Sequence, residues 1–75
     1  MKPQIIINID GGIVQNIISN VDMDALILDH DNNRIEDDEL IQFDGLSEPV
    51  YAYIDNIYID EQNVEQLYNE YERKK

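Results

Sequence analysis

Apolar and polar positions separate cleanly at the start of the chain. In Gln4-Ile5-Ile6-Ile7-Asn8-Ile9-Asp10, Ile5, Ile7 and Ile9 fall on one side of an extended backbone. Gln4, Asn8 and Asp10 fall on the other with Ile6, and the pattern predicts a strand over residues 4–10. Gly11-Gly12 then leads into Ile13-Val14-Gln15-Asn16-Ile17-Ile18-Ser19. Two β-rich runs joined by Gly-Gly predict a hairpin, because a type I′ turn needs positive φ at both central residues. The spacing of Ile13, Val14, Ile17, Ile18 and Val21 also fits one face of a helix, and that alternative stands beside the strand. All five side chains are β-branched, which favours the strand.

Asn20-Val21-Asp22-Met23-Asp24 reads as a turn. Ala25-Leu26-Ile27-Leu28-Asp29 is a continuous apolar run of strand length, expected to be central with both faces covered. Residues 29–39 are the most polar stretch and read as a loop. Leu40, Ile41 and Phe43 are expected to form a short helical turn or an extra strand, and Gly45 and Pro49 bracket another loop. Residues 50–59 form a long β-favouring run. Within it Val50, Ala52 and Ile54 alternate with Tyr51, Tyr53 and Asp55, giving a small aliphatic face and an aromatic, polar one.

The clearest helix is at the C-terminus. Asp60 is placed to cap it, Glu61 suits its positive end, and Arg73, Lys74 and Lys75 suit its negative end. Val64, Leu67, Tyr68 and Tyr71 form one apolar stripe. The elements together predict a single α+β domain over residues 1–75. It would hold a small antiparallel sheet of about four strands, opening with the Gly-Gly hairpin, and an amphipathic helix across one face. Tyr51, Tyr53 and Gln15 would lie on the other face. One helix covers little of such a sheet, which leaves room for a homodimer.

Charge sharpens this picture. The 75 residues hold 17 Asp and Glu against 5 Lys and Arg, a formal net charge of −12. All the acids precede residue 73, where the only bases are Lys2 and Arg34. Direct nucleic-acid binding needs clustered Lys and Arg, and docking on an anionic membrane needs a basic patch, so neither is expected. The hydrophobic content of 43% is too rich for a disordered chain. There is no Cys, which excludes disulfides and thiolate metal sites. No apolar run approaches the roughly 20 residues of a membrane helix. The start does not fit a signal peptide, so a cytoplasmic protein is expected.

Catalytic and metal-binding patterns are weak. Asp29, Asp31 and Asn33 match the first three ligand positions of a calcium loop, but Arg34 stands where Gly is needed and Leu40 where Glu is needed. His30, the only histidine, lies between Asp29 and Asp31 with no nucleophile motif around Ser19 or Ser47. Gly11-Gly12 lacks the Lys and Ser or Thr of a phosphate loop. Neither an enzyme nor a bound cofactor is expected.

The remaining signals are tyrosine and acid. Tyr51 and Tyr53, flanked by Asp55, are expected to be more exposed than Tyr68 and Tyr71, which the helical stripe places in the core. Tyrosine offers a partner a rigid apolar surface with a polar tip. The acids at Asp29, Asp31, Glu36, Asp37, Asp38, Glu39 and Asp55 are the candidate contacts for a basic protein surface, presented as DNA presents phosphates. The strand, Gly11-Gly12, Ile13-Val14-Gln15 start and the later Ala25-Leu26-Ile27-Leu28-Asp29-His30-Asp31 run resemble small uncharacterised proteins of phages and mobile elements. The resemblance covers residues 4–31, implies such an origin, and carries over no site residue. Two functions are expected from these features. The first is an acidic inhibitor or DNA mimic that binds a host nucleic-acid-binding or defence protein. The alternative is an assembly protein that self-associates through a sheet face or an exposed strand.

Overall fold

Gly11 and Gly12 carry φ of 59° and 77°. A residue with a Cβ adopts that region at a cost, so the paired glycines reverse the chain here. They join β1 (Ile5–Asp10) to β2 (Ile13–Ser19) as the expected antiparallel hairpin, and residues 13–19 are a strand. The register runs from Ile5 opposite Ser19 to Asp10 opposite Ile13. It shifts once: Asn8 faces Asn16 but Ile9 faces Val14, which leaves Gln15 as the extra residue of a bulge.

The computed structural model describes residues 2–31 and 36–75. The strands that follow β2 are β3 (Ala25–Asp29), β4 (Tyr51–Asp55) and β5 (Ile57–Ile59), and the chain ends in α1 (Glu61–Lys74). The class is α+β, with five strands in two small sheets and one C-terminal helix among the described residues. The chain divides into two units. One comprises the described residues up to Asp24 with Asn56–Lys75, and the other is Ala25–Asp55.

In the first unit the strand order is β1-β2-β5, and β5 lies parallel to β2 with Ile17 opposite Ile57 and Ser19 opposite Ile59. The β-favouring run 50–59 is therefore two strands, divided at Asn56 and assigned to different sheets. Asp60 caps α1 as expected, its carboxylate accepting from the Asn63 N–H at 3.1 Å. Val64 is fully buried on the helix. Tyr68 is half-buried, and its hydroxyl donates to the Ile5 carbonyl at 2.7 Å.

A polar pair closes this unit. Ser19 and Asn20 are both buried. The Asn20 amide donates to the Lys2 carbonyl at 2.9 Å and accepts from the Gln4 N–H at 2.9 Å. The Ser19 carbonyl accepts the Asp60 N–H at 2.9 Å, tying the helix start to the end of β2. The Ser19 hydroxyl both donates to the Val21 carbonyl and accepts from its N–H. Burial without these partners would carry a large desolvation penalty, so the pair fixes where the N-terminal segment and the helix attach.

In the second unit β3 and β4 pair antiparallel, from Ala25 opposite Asp55 to Asp29 opposite Tyr51. Ile41 forms the extra strand contact expected of residues 40–43, as a reciprocal backbone bridge to Val50 at 2.8 and 3.0 Å. Asp37–Glu39 form a 3₁₀ turn. The apolar run of β3 is not a central strand with both faces covered, since its Leu26 and Leu28 are exposed in a two-stranded sheet. A continuous apolar run fits an edge strand as well as a central one when its sheet has only two strands.

Asn20→Ala removes two bonds to backbone groups and leaves those groups unpaired. Loss of about 2 kcal/mol is expected, read as a fall of roughly 10 °C in Tm by calorimetry. An unchanged Tm would contradict the closing role of Asn20.

Candidate functional site

Strand pairing decides which side chains share a face, because directly opposed residues point the same way. In the second unit Asp29 opposes Tyr51, Ile27 opposes Tyr53 and Ala25 opposes Asp55. Four predicted site residues therefore lie on one face, with a carboxylate at each end and two tyrosines between. The Tyr51 and Tyr53 rings are tilted by 37° with centroids 5.3 Å apart, within the range of favourable aromatic pairs. Asp31 folds back onto this end, its N–H donating to Asp29 Oδ1 at 2.9 Å.

The other predicted acids are gathered differently. Glu36 precedes the 3₁₀ turn and Asp37, Asp38 and Glu39 form it, all four exposed. Their carboxylates are presented by a turn of the loop and not by the strands. Nine of the 17 acids fall within Ala25–Asp55, where Arg34 is the only Lys or Arg. Asn33 and Arg34 of the partial calcium loop, with Asn32 and Ile35, lie outside the described residues. Among the described residues no group of three or more His, Asp or Glu is placed to hold a metal ion.

Burial corrects the expectation for tyrosine. Tyr51 and Tyr53 are half-buried, whereas Tyr71, expected in the core, is exposed. Tyr71 lies in the last helical turns, past the point where Tyr68 reaches the Ile5 carbonyl. The opposite face of β3–β4 holds the small aliphatic side of residues 50–55, and the sequence pattern did not show that it is open. Leu26 directly opposes Ile54 there, and Leu28 opposes Ala52. Leu26, Leu28 and Ile54 are 54%, 37% and 69% exposed, so this second face is apolar and open. The signal available in sequence was the strict alternation of residues 50–55, whose aliphatic half supplies Ala52 and Ile54 to this face.

The electrostatics of the tyrosine face follow from its neighbours. The Tyr53 phenol is raised above the ordinary tyrosine value of 10.0, first by burial, then by the charges of Asp55 and Asp29, and last by Tyr51. The neutral phenol is thus favoured in the fold. The face thus joins two carboxylates to a pair of tyrosine rings.

Among the described residues no helix is long and apolar enough to cross a membrane. No family model matches the chain, and no curated protein or solved structure matches it.

A raised phenol pKa contributes stability below the ordinary tyrosine value, and that contribution is lost as pH rises through the folded one. Tyrosinate absorbance should therefore include a step above the ordinary tyrosine value, contributed by Tyr53. Tyr53→Phe should remove that late step, and Asp55→Asn should move it part of the way back. A late step that survives Tyr53→Phe would contradict the assignment.

Proposed function

We propose that the protein is a non-enzymatic binding module that occupies a basic surface of another protein. The observation that carries this reading is the face on which Asp29, Tyr51, Tyr53 and Asp55 come together, in a unit that holds nine acids and one Arg. The carboxylates attract cationic side chains at long range, and the tyrosine pair supplies contact area once they arrive. Asp31 and the exposed Glu36–Glu39 turn extend the negative field around this face. The partner that fits is a host protein whose basic surface handles nucleic acid, and the module then acts as a cytoplasmic inhibitor or DNA mimic. The resemblance of residues 4–31 to phage and mobile-element proteins supports that setting. A second reading, an assembly protein, is favoured by the open apolar face of Leu26, Leu28 and Ile54.

Competition separates the two readings. A panel of basic bacterial DNA-binding proteins, each loaded with labelled duplex DNA, is titrated with the purified protein. Displacement of the DNA from at least one of them is expected at low salt. It should fade toward about 0.5 M salt, where the Debye length falls to roughly 4 Å. Asp29→Asn with Asp55→Asn should weaken displacement about tenfold or more, and Tyr51→Ala with Tyr53→Ala should do likewise. Absence of displacement at low salt, or displacement indifferent to salt and to these substitutions, would overturn the proposal.

A further inference from the structure

The β1–β2 hairpin differs from the rest of the chain in charge. From Pro3 to Val21 the only charged residue is Asp10, in a protein of net charge −12. The hairpin also supplies one of the two outer strands of the first unit's sheet. β1 is that strand in the order β1-β2-β5, and its Ile7 and Ile9 are 48% and 66% exposed.

The hydrogen bonds show which backbone groups face outward. The Gln4 N–H and carbonyl both engage Asn20, at the end of β2. Backbone groups alternate sides along a strand, so those of Ile5, Ile7 and Ile9 point to the outer edge. At Ile5 that edge is already occupied, because its carbonyl accepts the Tyr68 hydroxyl at 2.7 Å. The helix thus blocks the edge at Ile5 and leaves it open at Ile7 and Ile9. Beside this stretch runs a groove lined by Ile6, Asn8, Leu67 and Tyr71.

We propose that this edge pairs with the same edge of a second copy of the chain, antiparallel about a two-fold axis at Asn8. The axis places Ile7 of each copy opposite Ile9 of the other, which brings four exposed isoleucines into cross-strand contact on one face. It joins the two three-stranded sheets into one sheet of six. The occupant follows from charge. A basic or acidic partner finds nothing complementary between Pro3 and Ile9, while two strongly acidic copies meet with little repulsion through a strand edge that carries no charge over those residues. The two Asp10 side chains end up four residues apart along the strands, about 14 Å, beyond the Debye length of about 8 Å at physiological salt. The interface lies in the first unit and does not depend on the acidic face of the second.

The wild-type chain tests this by sedimentation equilibrium. A species of twice the 8.8 kDa chain mass is expected, strengthened by added salt as repulsion is screened. A mass of one chain at every concentration overturns the proposal. Ile9→Lys makes each chain one charge less negative, so general electrostatics predicts more association, whereas edge pairing predicts a monomer with an unchanged circular dichroism spectrum. A folded Ile9→Lys variant that remains dimeric overturns the proposal. Asn8→Cys places the chain's only thiol beside its own copy across the axis, and rapid oxidation to a covalent dimer is expected, with Gln15→Cys remaining a free thiol. A dimer in which Cys substitution at position 8 fails to cross-link overturns the stated register.

Discussion

A buried amide and a buried hydroxyl organise the first unit. Asn20 and Ser19 sit where the N-terminal segment, the end of β2 and the start of α1 converge, and their bonds reach Lys2, Gln4, Val21 and Asp60. A polar group out of water must find partners within the fold, and among the described residues no buried side-chain nitrogen or oxygen lacks one. Together with the Gly11-Gly12 turn, that requirement fixes the position of β1 against β2. With β1 fixed, Tyr68 meets the Ile5 carbonyl. The helix then covers part of the β1 edge and no more.

Charge is distributed around this framework and not through it. The hairpin that the polar pair holds carries one acid, while Ala25–Asp55 carries nine. Self-repulsion among so many carboxylates lowers the stability of the folded state and is tolerated where strands are few and turns expose the side chains. The two surfaces differ in physics as a result. One sets carboxylates beside two tyrosines, while the other is a strand edge without charge from Pro3 to Ile9.

Local chemistry made much of this fold legible in the sequence. Gly11-Gly12 specified positive φ at two consecutive positions, β-branching decided residues 13–19 for strand, and Asp60 marked the helix start. The alternation of Tyr51, Tyr53 and Asp55 placed them on one face, and the structure adds Asp29 from across the ladder. The break at Asn56 carried a local signal in Asp55-Asn56, but the destination of β5, parallel on β2, depends on long-range pairing that no local pattern encodes. The exposure of Leu26, Leu28 and Ile54 was hidden for the same reason. An apolar run reports the preference of a segment for burial, and whether a cover exists is a property of the whole chain.

The central claim is that cation recognition belongs to the Asp29–Tyr51–Tyr53–Asp55 face and is absent from the hairpin. An NMR titration of the isotope-labelled protein with an oligo-arginine peptide tests it residue by residue. The account predicts salt-sensitive shifts concentrated at Asp29, Tyr51, Tyr53 and Asp55, with Ile5–Ser19 unmoved. Shifts of equal size at the acids of α1, or larger ones along the hairpin, would contradict it.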